Sequence, residues 1–347
     1  MTLRNYAATD VNFWKGRIDD IDDVDSYRMH QIIKIINLNE LDSLKIDSSK
    51  LNICFLGYCC DEGVRRNLGK TGAKEGPKDI RNKFASLPVP FCDKIAIYDA
   101  GNLFCVEGNM EDIQKQLEIA VERILDNNLF PIVLGGSHDV SYGHFNGIFN
   151  HLKRQTLENP KIGIVNFDAH FDLRPYENGG SSGTMFSQIA DNCLRENVKF
   201  NYLCLGIQSS GNTKSLFNKA DSLGSKYVLA RDFVESNHNN ISAKIASFIN
   251  ENDYIYVTIC GDVFNSASAP GVSAMQPFGL KPNHVLRFTR EILQSKKVVG
   301  FDIAEVSPPL DHNRRTAKLA ATIIYEVIES LCRLNCLLKS IIKYEER

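Results

Sequence analysis

No run of apolar residues in this sequence approaches the ~18 that a membrane-spanning helix needs. The N-terminal Met1-Thr2-Leu3-Arg4-Asn5 lacks the apolar core of a signal peptide. Both absences lead to the expectation of a cytoplasmic chain. An excess of one charge is missing too: 40 Lys and Arg stand against 42 Asp and Glu. That balance leaves no basic footprint for nucleic acid and no polybasic patch for a membrane surface. The ten cysteines fall at irregular positions, without paired CxxC sets of zinc-site spacing. Most lie in apolar contexts such as Ile53-Cys54-Phe55 and Leu203-Cys204-Leu205, which read as buried, reduced thiols. No GxGxxG turn marks a dinucleotide site, since Gly135-Gly136-Ser137-His138 has a different spacing. Linkers, low-complexity stretches and internal repeats are absent as well. The 347 residues, 43% of them hydrophobic, therefore read as one domain with an ample core. Residues 1–50 form a polar N-terminal extension whose acidic stretch, Ile18 to Asp25, reads as a solvated loop or cap.

From Leu51 onward, apolar strands alternate with helical patterns. The strand candidates are Ile53–Gly57, Ile95–Tyr98, Phe130–Leu134, Ile162–Phe167, Asn201–Leu205, Tyr227–Leu229, Tyr254–Ile259 and Val298–Ile303. The clearest helix is spelled by Ile113, Leu117, Ala120, Val121 and Ile124. The last, Thr316 to Ile342, is long and apolar on one face. Such alternation predicts an α/β fold with a parallel sheet covered on both faces. Ligands in such sheets bind beyond the carboxyl ends of the strands.

The polar clusters sit where that rule wants them. After Ile162–Phe167 comes Asp168-Ala169-His170-Phe171-Asp172-Leu173-Arg174-Pro175. Asp168, His170 and Asp172 are spaced i, i+2 and i+4, so they face one way if the strand persists. Two carboxylates and an imidazole crowded on one face call for a divalent cation, and oxygen with imidazole suits Mn, Fe or Zn. The alternative is a half-exposed strand with a polar outer face. Phe130–Leu134 runs into Gly135-Gly136-Ser137-His138-Asp139, where His138 becomes a further ligand candidate. Tyr254–Ile259 runs into Cys260-Gly261-Asp262, and Val298–Ile303 into Ala304-Glu305. A carboxylate at the end of a buried strand needs a cationic partner, so Glu305 awaits either a structural Arg or a cationic substrate.

Taken together, these motifs resemble the ureohydrolases: the arginases, agmatinases and their relatives. The likeness rests on Gly135 to Asp139, Asp168 to Asp172, Asp262 with Ala269-Pro270-Gly271, and Glu305, and spans nearly everything from Leu51 to the last helix. Within that superfamily it is greatest to the formimidoylglutamase branch, through Asp61 to Asn67, Gly180 to Thr184, Tyr202 to Ile207 and Asp311 with Arg314 to Ala317. The resemblance implies a three-layer α/β/α fold with two Mn ions at the C-terminal edge of the sheet. It implies hydrolysis of N-formimidoyl-L-glutamate to L-glutamate and formamide, in histidine degradation. By position, His138, Asp168, Asp172 and Cys260 would hold one metal; Asp168, His170, Cys260 and Asp262 would hold the other. Asp172 and Glu305 would be catalytic. Arg174, then Arg65, are the candidates for the substrate's carboxylates. The superfamily is commonly oligomeric, so a homo-oligomer is expected.

Two departures qualify that implication. The family usually carries an aspartate where Cys260 stands, and a soft, single-atom thiolate suits Mn less well than Zn or Fe. That leaves open a ligating thiolate, a mononuclear site, or a non-catalytic member. Arginases and agmatinases often have a His near Ser182, and its absence here fits the formimidoylglutamase pattern better than an agmatinase or guanidinobutyrase type.

Overall fold

The computed structural model describes residues 2–41, 44–89, 94–156 and 158–345, with side chains up to residue 335. Ten strands form one sheet: β1 (Tyr6–Ala7), β2 (Lys34–Ile35), β3 (Leu51–Cys59), β4 (Ile95–Phe104), β5 (Phe130–Leu134), β6 (Ile162–Phe167), β7 (Asn201–Ile207), β8 (Lys226–Leu229), β9 (Tyr254–Cys260) and β10 (Val298–Ala304). Their order across the sheet is β1-β4-β3-β5-β10-β9-β6-β7-β8, with β2 also on β4. All pairings are parallel except β1 on β4. Each strand expected from the sequence is present, and the central ones are buried along almost their whole length. That is why their sequences run apolar without alternation.

Alternation instead sorts side chains between two cores. Phe55, Leu134, Val165, Leu203, Val257 and Phe301 face one side, with helices Gly76–Phe84, His238–Asn250, Pro282–Leu293 and Arg315–Glu345. Leu56, Val133, Ile164, Tyr202 and Tyr256 face the other, with helices Met110–Asp126, Val140–Gln155 and Met185–Arg195. The result is the expected three-layer α/β/α sandwich. In helix Met110–Asp126 the five residues read from the pattern are all buried, and the Asn109 side chain caps its first turn by accepting from Asp112 N at 3.0 Å.

The N-terminal segment is less peripheral than its composition suggests. It supplies β1 and β2 to the β4 edge, and it sends Trp14, 8% exposed, into the core. Trp14 Nε1 donates to Asp99 Oδ2 at 2.8 Å. The buried Arg81 holds the same carboxylate through Nε at 3.0 Å and Nη2 at 2.8 Å. The acidic stretch itself is exposed, as read.

Candidate metal centre and active site

Strands β5, β10, β9 and β6 are neighbours in that order. Their carboxyl ends therefore deliver His138, Glu305, Cys260 with Asp262, and Asp168 to one place, although these residues lie far apart in the chain. The turn after β5 depends on Gly136. A Cβ there would lie 1.9 Å from Cys60 O, so no side chain fits. The tight approach lets Ser137 N donate to Cys60 O at 2.8 Å and carries His138 into the site.

The expectation that a persisting strand aligns Asp168, His170 and Asp172 is corrected. β6 ends at Phe167, and the next residues form an irregular loop in which Asp172 has φ 52°. Asp168 Oδ1 accepts from His170 N at 2.8 Å and Asn212 Oδ1 from Phe171 N at 3.0 Å. These bonds fold the loop so that the three side chains converge without strand alternation. His138 Nδ1 lies 3.0 Å from Asp168 Oδ2 and 3.1 Å from Asp172 Oδ2. His170 Nδ1 lies 3.1 Å from Asp262 Oδ2. One donor atom each from His138, Asp168 and Cys260 lies within 4.8 Å of the others, and so does one each from Asp168, His170 and Asp262. Asp168 belongs to both groups.

Glu305, just past β10 with φ 63°, accepts from His138 N at 2.9 Å. Among the described residues no Lys or Arg pairs with it. Of the two partners expected for this carboxylate, the structural Arg is thus missing. Burial, with the charge of Asp262, pushes Glu305 up to about 8. Burial, with Asp168 nearby, pushes Asp172 up to about 6 and raises Asp262 as well. Burial opposes charge on His138 and His170, yet the carboxylates beside them hold both well above the usual imidazole range. Burial and the surrounding Asp168, Asp262, Glu305 and Asp172 raise the Cys260 thiol strongly.

Carboxylates that cannot all ionise together, two imidazoles pressed into service as cations and a buried Asp262 Oδ1 without a hydrogen-bond partner describe a site that wants positive charge. The donors, mostly hard oxygens and imidazole nitrogens, fit divalent cations of the Mn, Fe and Zn kind.

A cavity of about 260 Å3 opens over these groups, at the small end of the roughly 300–1,000 Å3 usual for ligand pockets. Arg174 lines it, together with Asn67, Ser182, Asn212, Ser273 and Ala274. Arg174 has no ion-pair partner among the described residues. Arg65 is not among the lining residues. On the helix Glu62–Arg66, its side chain is 66% exposed and pairs with Glu62 at 2.5 Å.

One part of the site escaped the sequence reading. His138 Nε2 meets Thr258 Oγ1 at 3.0 Å, Thr258 donates to Asp302 Oδ1 at 2.6 Å, and Tyr256 and His144 hold Asp302 Oδ2. This buried chain fixes the ring of His138 from behind, as outer partners of ligating imidazoles do. A signal existed: Asp302 is a charged residue inside an otherwise apolar strand, and such a carboxylate needs partners.

The family model described as "Arginase family" matches residues 51–329. The formimidoylglutamase of Clostridium tetani (strain Massachusetts / E88) is 48% identical over 331 residues, covering 95% of this chain and 97% of that protein. The formimidoylglutamase of Fusobacterium nucleatum subsp. nucleatum is 42% identical over 317 residues, covering 91% and 96%. Among solved structures, formimidoylglutamase from Bacillus subtilis subsp. subtilis str. 168 superposes with a TM-score of 0.75 at 22% identity, covering 91% of this chain and 94% of that one. Trypanosoma cruzi formiminoglutamase with Mn2+2 superposes with a TM-score of 0.71 at 21% identity, covering 86% and 98%.

Proposed function

The chain belongs to the arginase family, and from that premise we propose that it hydrolyses N-formimidoyl-L-glutamate to L-glutamate and formamide. Identity of 48% along nearly the whole length to a formimidoylglutamase supports the substrate. The observation that carries the chemistry is the convergence of His138, Asp168, His170, Asp172, Cys260 and Asp262 beneath one small cavity, beside a Glu305 that pairs with no Lys or Arg among the described residues. Two Mn ions are the proposed cofactor: His138, Asp168, Asp172 and Cys260 would hold one, and Asp168, His170 and Asp262 the other. Cations held there supply Lewis-acid activation of water.

The protein's own groups do the rest. Glu305 accepts hydrogen bonds from the charged formimidoyl NH groups through the oxygen not engaged by His138 N, and so presents the carbon for attack. Water adds to that carbon, and the bond to the glutamate nitrogen breaks. Asp172 takes the proton of the attacking water at its carboxylate and returns it to the departing nitrogen. Arg174 pairs with a substrate carboxylate at the cavity wall. Histidine degradation and a cytoplasmic setting are the proposed context.

Purified protein with manganese chloride should release formamide and glutamate in equal amounts, and a chelator should abolish the release. Asp172→Asn should lower kcat by about 100-fold or more, in the range of lost acid–base catalysis. Faster release of urea from agmatine or guanidinobutyrate would replace this substrate by another of the superfamily. Absence of turnover with two Mn ions bound would count against catalysis altogether.

A further inference from the structure

We propose that the two cation positions are chemically unequal, and that Cys260 makes the one beside His138 a thiolate-bearing position selective for a softer divalent cation such as zinc, iron(II) or cobalt(II). The inference rests on the metal-dependent reading above and revises it at one position, where a softer cation takes the place of manganese.

The two donor groups differ in kind. One gathers an imidazole nitrogen from His138, a carboxylate oxygen from Asp168 and the sulfur of Cys260. The other gathers Asp168, His170 and Asp262, with oxygen and nitrogen only. Cys260 is held rigidly, as the last residue of β9, paired with Ala304 of β10. It is 2% exposed and lines the cavity, with its sulfur within 4.8 Å of a donor atom each of His138 and Asp168. Of the free cysteines among the described residues, it alone joins a candidate cation group. The unpartnered Asp262 Oδ1 belongs to the other group.

Donor chemistry then decides the order of filling. A carboxylate has two oxygens and can give one to each of two cations. A thiolate offers one atom, and that atom is soft. Thiolate with imidazole favours zinc, iron(II) and cobalt(II) strongly over manganese, whereas a set richer in carboxylate oxygen discriminates against manganese less. The His138 side therefore fills first with the softer ion. The His170 side lacks the second oxygen that an aspartate at position 260 would provide, and fills later.

Cobalt(II) chloride added to the metal-free whole protein tests this by absorbance. A near-ultraviolet thiolate-to-cobalt charge-transfer band should rise up to one equivalent and then stay flat, while visible cobalt absorption continues to a second equivalent. Cys260→Ser should lose the band and weaken the first equivalent at least about tenfold, since even outer partners of a ligand cost that much. Cys260→Asp should lose the band and still take two equivalents, with circular dichroism showing that each variant is folded. No band in cobalt-loaded wild-type protein would overturn the proposal. So would a band that grows through both equivalents, because the sulfur would then be shared. The wild-type titration decides these points even if the variants fail to fold. Glutamate release is read separately: a band without hydrolysis overturns the proposed reaction and leaves the unequal positions standing, and hydrolysis without a band does the reverse.

Discussion

Arg174 and Arg65 show how little a residue's type says without its surroundings. Both were candidates for the substrate's carboxylates. Arg174 follows Asp172 by two positions, its backbone N donates to Gly183 O at 3.0 Å, and its side chain lines the cavity without an ion pair among the described residues. A charged hydrogen bond is worth about 1.5–3 kcal/mol. Arg174→Ala should therefore lower kcat/KM for N-formimidoyl-L-glutamate by about 10–100-fold, mainly through KM, with stability nearly unchanged. Arg174→Lys should fall between, because the planar fork is lost and the charge kept. Arg65 is exposed and already paired with Glu62, so Arg65→Ala should leave both kinetic constants within about twofold, as exposed pairs contribute about 0–1 kcal/mol. Steady-state kinetics on the two alanine variants would reverse the assignment if Arg65 proved the costly one.

At the level of elements, the strands were legible and the loops between strand and site were not. Phe130–Leu134 and Ile162–Phe167 end where the sequence said, because a strand buried on both faces leaves a continuous apolar run. The turn of Asp168 to Asp172 depends on Asn212, some forty residues later, and no local pattern announces such a bond. The N-terminal segment makes the same point. Its polar composition gave no sign of a core anchor, yet its Trp14 is a core residue bonded to Asp99. Trp14→Ala should destabilise the protein by about 3–5 kcal/mol, the range for removing a large buried aromatic. Denaturant unfolding would show the segment to be dispensable if the midpoint hardly moved.

For the whole molecule, the site is a store of unfavourable charge that cations relieve. Asp172 is pushed to about 6 and Glu305 to about 8. Asp262 is also raised, and His138 and His170 are held above their usual range. All of these keep protons in the folded state that the unfolded chain gives up at lower pH. Stability from these groups is thus present at low pH and lost as pH rises. Asp168 is shifted the other way, held down by His138 and His170 against its burial, so it is ionised in both states across this range and adds no slope. The metal-free protein should melt at progressively lower temperature between about pH 6 and about pH 8. Saturating manganese chloride should flatten or invert that slope, because bound cations require these ligands deprotonated. Thermal unfolding in chelator and in manganese tests it, and a metal-free protein more stable at pH 8 than at pH 6 would contradict the account.

The sequence alone determined the layers and the chemistry on offer. Apolar runs set the strands, helical periodicity set the covering helices, and the polar residues after β5, β6, β9 and β10 set the donors. Those are local properties, written within a few residues of one another. The tertiary structure alone decided which donors meet. The sheet order places β5, β10, β9 and β6 side by side, brings His138 against Asp168 and Asp172, backs His138 with Thr258 and Asp302, and leaves Arg65 outside. Those contacts join residues far apart in the chain, and they form only when burial of both faces of the sheet fixes the neighbours of each strand.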